Sequence, residues 1–296
     1  MIIVKLWGGL GNQMFQYAAA RRLAHINGDR LKLDTQWFGR EARGDTPRRY
    51  ELGVFDITAD IATAEEVRRL RGVDTRRWPK AVKRLLASVG YATPISYVAE
   101  QHFNSAPEIL SLKGDIYLDG YWQSEKYFRD TADVIRNDFR LKESPDGANA
   151  SVLREIKVCE SVSLHFRRGD YVTNSNAAAY HGVLSLDYYA AAIEAIGARV
   201  ASPRFFVFSD DLTWVKHNFK IDFPVTYIDV NGAEKAYDDL RLMSACQHHI
   251  IANSSFSWWG AWLNKNSKKI VVAPQKWYSA TEINSDDLIP DAWLRI

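Results

Sequence analysis

Apolar positions in the second half of the chain fall into two alternating patterns. Runs of strand length occur at 162–166, 205–208, 225–228, 249–252 and 270–273. Between them lie stretches with helical spacing at 186–196, 212–218, 237–246 and 256–263. Strands joined by helices over short connections predict a parallel sheet covered by helices on both faces. The first half opens in the same style, with a buried strand at 2–7, a glycine turn at 8–11, a helix over 12–24 and a second strand at 31–34. The pattern loosens in the polar, loop-like stretch 40–47 and resumes near 115–120. A polar segment at 142–150, containing Pro145, Asp146 and Gly147, reads as a linker. It separates an N-terminal domain, 1–145, from a C-terminal domain, 146–296.

In a parallel α/β sheet, ligands bind beyond the carboxyl ends of the strands, and the polar motifs of this chain sit there. The first is His165-Phe166-Arg167-Arg168-Gly169-Asp170, which follows the apolar run Val162-Ser163-Leu164. Adjacent arginines at a strand end need an anion or an acidic partner, and the guanidinium fork suits phosphate. A diphosphate gains negative charge as its bond to a sugar breaks, so a preplaced cation stabilises the transition state more than the ground state. The other reading is an Arg–Asp pair that buttresses a loop. The second motif, Asn253-Ser254-Ser255-Phe256-Ser257, opens a helix with residue types suited to capping. Capping explains one serine; several together, with free backbone N–H groups, suit an anion.

The third motif, Phe208-Ser209-Asp210-Asp211, offers paired carboxylates to a guanine edge, a ribose, the next helix or a divalent metal. No obvious third ligand stands nearby, which argues against metal. The fourth, Gly8-Gly9-Leu10-Gly11-Asn12-Gln13, matches neither the dinucleotide fingerprint nor a phosphate-binding P-loop, but permits close approach of backbone to ligand.

Composition narrows the class. The 38 basic and 36 acidic side chains leave a formal net charge of +2, so there is no general case for nucleic-acid binding. Cys159 and Cys246 are too few and too far apart for a disulfide framework or a zinc site, which predicts a reducing cytoplasm. The N-terminus lacks the features of a signal peptide, and no apolar run approaches the roughly 20 residues that span a bilayer. Ten tryptophans and fourteen tyrosines fit either a well-filled core or a protein that stacks sugar rings. Eight Lys or Arg residues against the single acid Asp74 mark 68–84 as a basic helix, either a solvated face or one that rests on an anionic membrane surface.

Five motifs occur in the order found in the bacterial α-1,2-fucosyltransferases, which the chain resembles nearly end to end. They are GGLGNQMFQYA at 8–18, DGYWQSEKYF at 119–128, HFRRGDYV at 165–172, FSDD at 208–211 and ANSSFSWWGAWL at 252–263. The α-1,6- and protein O-fucosyltransferases share more distant versions. Between 40 and 106 only Tyr50-Glu51-Leu52-Gly53-Val54-Phe55 is similar. The resemblance implies a GT-B-like α/β architecture, with two Rossmann-type domains, parallel sheets and a cleft between them. GDP-fucose would be held by the C-terminal domain, with acceptor recognition largely in the N-terminal one.

Residue by residue, the resemblance implies that Arg167 binds the β-phosphate, with Arg168 as its structural or secondary partner. His165 and one of Asp210 or Asp211 would approach the guanine or ribose. Asn253, Ser254, Ser255 and Phe256 would line the diphosphate, and Asn12 would reach the cleft from the N-terminal side. The implied reaction is an inverting transfer of fucose to the 2-hydroxyl of a galactose-ended glycan, in a surface polysaccharide or oligosaccharide, without metal or other cofactor. Arg167 and Asp170 are the candidate catalytic residues. The base is open between Asp170, Glu125, His181 and no protein group at all. Another linkage, a protein acceptor or a non-catalytic nucleotide-sugar-binding protein are the alternatives. The expected location is the cytoplasm, with peripheral membrane contact through 68–84.

Overall fold

The structure, a computed structural model, describes residues 1–39, 47–71, 97–102, 104–169, 172, 182–279 and 284–296. The expected loop at 40–47 (apart from its last residue), most of the basic segment 68–84, Asp170 and His181 lie outside these residues. The chain divides into two compact units, the first ending at Arg140 and the second beginning at Leu141.

In the first unit, β1 (Ile2–Lys5) pairs in parallel with β2 (Leu31–Asp34) on one side and β5 (Ile116–Asp119) on the other. The outer strands are β3 (Asp60–Ile61) and β4 (Tyr97–Ala99), which gives the order β3-β2-β1-β5-β4. Helix α1 (Leu10–Asn27) packs along β1 and β2. Helix α2 (Ala64–Arg71) packs its Val67 and Leu70 onto Ile3 and Tyr117 of the sheet. The apolar face of the one described part of the basic segment is therefore covered by this unit's own sheet, and Arg69 reaches Asp115 at 3.2 Å. A short helix, α3 (Ala132–Asp138), closes the unit.

The expected linker at 142–150 is corrected in its second half. Gly147 opens helix α4 (Gly147–Lys157), and the Asp146 carboxylate accepts the Asn149 N–H at 3.0 Å as its N-cap. Asp and Gly serve turns and helix starts alike, so composition alone does not separate the two.

The second unit contains β6 (Glu160–Phe166), α5 (Leu186–Gly197), β7 (Pro203–Ser209), α6 (Leu212–Asn218) and β8 (Val225–Tyr227). It continues with α7 (Ala236–Ala245), β9 (His248–Ile250), α8 (Ser255–Leu263), β10 (Val271–Ala273) and β11 (Leu294–Arg295). All strand pairs are parallel, in the order β11-β10-β9-β6-β7-β8. Counted from β6, this is the Rossmann order, and the chain reverses direction across the sheet between β6 and β9. Side chains of β7 alternate between two cores. Phe205 and Val207 join Tyr189, Ile193 and Ile196 of α5, whereas Phe206 and Phe208 join Val152 and Ile156 of α4 and Leu242 and Met243 of α7. Helices thus cover both faces, and the expected α/β class with parallel sheets holds in each unit.

Among the described residues, no helix is long and apolar enough to cross a membrane. Helix α1 ends where Gly28 adopts φ 66°, its N–H bonding back to the last turn. A Cβ there would meet no atom within 4 Å, so the penalty for a side chain is purely that of the left-handed backbone. Gly28→Ala should lower unfolding free energy by about 1–2 kcal/mol in urea titration. An unchanged midpoint would show that α1 ends differently.

Candidate functional site

The carboxyl ends of β9, β6 and β7 are neighbours because Leu164 pairs with Ile250 and Phe166 with Ser209. Three motifs more than forty residues apart in sequence therefore emerge along one edge, beside the point where strand order reverses. Strand β6 places Val162, Leu164 and Phe166 in one core and turns Ser161, Ser163 and His165 to the other face. Ser163 Oγ bonds His249 Nδ1 at 2.8 Å, and Asn264 Nδ2 bonds His249 Nε2 at 2.7 Å, so the polar face of the central strand is tied to its neighbour.

Arg167 and Asp210 form an ion pair, Nη1 to Oδ2 at 2.9 Å, with both side chains about one-fifth to one-quarter exposed. The other Asp210 oxygen accepts the Arg168 backbone N–H at 2.9 Å. Gly169 fits this close approach, since a Cβ on it would lie 2.6 Å from Asp210 Oδ2. Asp211 does different work. It caps α6 by accepting the Trp214 N–H at 3.1 Å, and its second oxygen lies 3.7 Å from Arg168 Nε. The Arg168 guanidinium stacks 3.3 Å from the centre of the Trp214 ring. Arg168 thus meets both an aromatic face and a carboxylate, and Arg167 is the arginine oriented by Asp210. Trp214 was not anticipated: its place three residues after Asp211 signals helix capping, and only the fold shows that its ring meets an arginine.

His165 is buried, and its ring centre lies 5.9 Å from that of Phe256. Burial, assisted by Arg167 and opposed by Asp210, pushes the imidazole down to about 4, so the ring is neutral at ordinary pH. Its Nδ1 has no hydrogen-bond partner among the described residues.

Across the reversal point, Ser254 is the N-cap of α8, but its hydroxyl makes no capping bond. Asn253 is buried and spends its Nδ2 on the carbonyls of Gly182 and Trp277, each at 3.2 Å. Ser257 turns its hydroxyl back to Ser254 O at 3.3 Å. Ser254 and Ser255 stand at the helix opening, with Phe256 directed to His165 and the core behind it. Among the described residues, no three His, Cys, Asp or Glu side chains are grouped as metal ligands.

Asn12 belongs to the first unit, in the opening turn of α1, where its Oδ1 accepts Gln123 Nε2 at 2.8 Å. The glycine turn before it is already occupied: the Glu51 carboxylate accepts the Leu10 N–H, and burial raises its pKa. Gln13 donates to the carbonyls of Gly8 and Arg49 and accepts the Glu51 N–H. Glu125, a candidate base, lies in a short 3₁₀ turn of this unit, Glu125–Tyr127.

The fold is shared with a solved structure, a mutant of Arabidopsis thaliana FUT1 in complex with GDP. That match has a TM-score of 0.51 at 11% identity, covering 91% of this chain and 69% of the other. In sequence, the chain is 38% identical to the O-antigen biosynthesis glycosyltransferase WbnK of Escherichia coli, over 98% of this chain and 99% of the relative. It is 34% identical to an α-1,2-colitosyltransferase of Escherichia coli, over 100% and 99% respectively. A Rossmann-ordered sheet with paired arginines at its reversal point is, in this company, that of a glycosyltransferase. The model of glycosyl transferase family 11 matches residues 106–296, and the chain belongs to that family.

A pH prediction follows from the neutral His165. Unfolded histidine titrates near 6.5 and the folded group near 4, so between these values the unfolded chain binds the extra proton. Its stabilising contribution is complete above about 6.5 and is lost as pH falls towards 4. The stability difference between wild type and His165→Asn should therefore shrink between pH 7 and pH 5 in urea titrations. A constant difference would show that His165 protonates in place.

Proposed function

We propose that the chain is an inverting α-1,2-fucosyltransferase that moves L-fucose from GDP-fucose to the 2-hydroxyl of a galactose in a surface polysaccharide or oligosaccharide. The observation that carries this reading is the Arg167–Asp210 pair at the end of β6, beside the reversal point across which α8 opens. Arg167 would hold the β-phosphate and stabilise the charge that develops as the C1–O bond to GDP breaks. Arg168, flat on Trp214, positions that loop. Ser254 and Ser255 would add donors at the helix start, and the neutral His165 would meet the nucleotide with Nδ1. Asp170, next to Gly169 in sequence, is one candidate for a base that takes the acceptor proton, beside Glu125 and His181.

No metal is required in this scheme. Asp210 serves the two arginines and Asp211 the helix cap, and Arg167 supplies the charge a metal would otherwise bring. A cytoplasmic location with peripheral membrane contact through 68–84 completes the reading. Its support is two free thiols, Cys159 and Cys246, and the three arginines of α2.

One second reading has a specific observation behind it. The relative named as a colitosyltransferase makes GDP-colitose an alternative donor. Parallel assays with GDP-fucose and GDP-colitose on β-galactosides, with linkage analysis of the product, should give faster transfer from GDP-fucose and a fucose at position 2. Faster transfer from GDP-colitose, or a product substituted elsewhere, would overturn the donor or linkage assignment. Activity should survive EDTA. Arg167→Ala should lower kcat on the order of 10²–10³-fold with the fold intact. Retention of more than about a tenth of the activity would remove Arg167 from the leaving-group role.

A further inference from the structure

In the first unit β1 and β5 are neighbours at the centre of the sheet, and a cavity of about 290 Å³ opens at the sheet's carboxyl edge. Its walls include Trp7 after β1, Glu100 and His102 after β4, and Asp119 and Tyr121 at and after β5. Trp7 and Tyr121 stack with ring centres 4.1 Å apart, and both rings line the space while remaining partly exposed. We propose that this cavity binds a neutral pyranose ring of the glycan acceptor, with the Trp7–Tyr121 pair as its platform. The proposal rests on the glycosyl-transfer reading above and deepens it by giving the acceptor a site.

Four observations converge on a hydroxylated, uncharged ligand. The aromatic pair offers apolar surface of the kind that packs against sugar C–H groups. Trp7 Nε1 is a buried donor with no partner among the described residues, which an acceptor atom of a ligand would satisfy. Glu100 accepts the backbone N–H groups of Tyr121 (2.6 Å) and Trp122 (3.0 Å), one at each oxygen. Asp119 likewise accepts from Lys5 Nζ (3.0 Å) and the Tyr97 hydroxyl (2.6 Å). Each of these oxygens keeps a second lone pair for a ligand hydroxyl. Finally, among the described residues the lining carries the carboxylates Glu100 and Asp119 and no lysine or arginine, and the neighbouring Lys5 ammonium already serves Asp119, so the site offers a phosphate or carboxylate ligand little attraction.

The loop geometry also exceeds what simple closure needs. Trp122, fully buried, holds φ at 56°, a conformation unfavourable for so large a residue. That turn directs Tyr121 to Trp7. From the other side, Gln16 clamps both backbone groups of Trp7, accepting its N–H at 3.1 Å and donating to its carbonyl at 3.3 Å. The two ring-bearing residues are held by separate buried anchors, as a preformed binding surface requires.

The test uses the full chain. Saturation-transfer NMR with methyl β-galactoside and with β-1,3- and β-1,4-galactosyl disaccharides, without any nucleotide, should show binding by wild type. Trp7→Ala should weaken it at least tenfold and raise the acceptor KM by a similar factor, leaving the KM for GDP-fucose within twofold. Trp7→Phe, which keeps a stacked ring but deletes the indole N–H, and His102→Ala at the exposed rim should each cost several-fold and decide the matter if Trp7→Ala fails to fold. Absence of binding by all three sugars in wild type, or unchanged acceptor binding in the folded variants, would overturn the proposal. If wild type binds galactosides through Trp7 yet transfers no fucose, the site stands and the fucosyltransferase reading falls.

Discussion

The parallel pairing of β6 with β7 on one side and β9 on the other is the constraint on which the arginine-bearing edge of the second unit depends. Register runs from Glu160 opposite Pro203 to Phe166 opposite Ser209, so both strands release the chain at the same height. A shift of one residue would exchange the faces of every side chain. Val162, Leu164 and Phe166 would then leave their core and His165 would enter it. The same register brings Asp210 within 2.9 Å of Arg167, across a gap in sequence that no local preference spans. Ser163, His249 and Asn264 lock this arrangement from within the sheet. A buried hydrogen-bonded chain tolerates little displacement, because each broken link leaves a polar atom without a partner.

Much of the second unit was legible in the sequence because its strands, covered on both faces, are nearly continuous apolar runs. Helix α6 was read at its observed bounds, and most other elements of this unit within a residue or two. The short elements were not legible. Strands β3 and β11, of two residues each, carry no periodicity, and α4 was hidden behind an Asp–Gly pair that suits a turn equally well. At the site, sequence identified which residues stand at strand ends but not what they hold. Asp210 and Asp211 were one motif in sequence, yet in the fold one orients Arg167 while the other caps a helix and approaches Arg168. Asn253, which the resemblance implies lines the diphosphate, also donates its amide nitrogen to two backbone carbonyls, a role its sequence context does not show.

The glutamines of the GNQMFQ run make the same point. Their spacing shows only that they share a helix, and their burial was not predictable from their polarity. In the fold, Gln13 and Gln16 secure the chain around the β1–α1 turn, a role that depends on Trp7, Gly8, Arg49 and Glu51 converging there. The two units present different chemistry at the carboxyl edges of their sheets. One edge presents arginines balanced by carboxylates, the other presents carboxylates and aromatic rings around a single lysine. In the reading proposed above, the first would meet the anionic donor and the second the uncharged acceptor.

Pairing Arg167 with Asp210 lowers the net charge the edge offers to an anion, which would weaken binding of the proposed diphosphate in its resting state. The pair also holds the guanidinium in one orientation before any ligand arrives, and an unpaired arginine on the same loop would sample many. Charge that develops only as the glycosidic bond breaks gains most from a donor whose direction is already set, since nothing then has to reorganise during the step. In the proposed reaction, loss of ground-state affinity and gain of transition-state stabilisation would thus come from one contact. Gly169 belongs to the same logic. The absent Cβ is what allows Asp210 to reach both the Arg168 N–H and the Arg167 side chain, so the smallest residue of the motif keeps the Arg167 guanidinium in place.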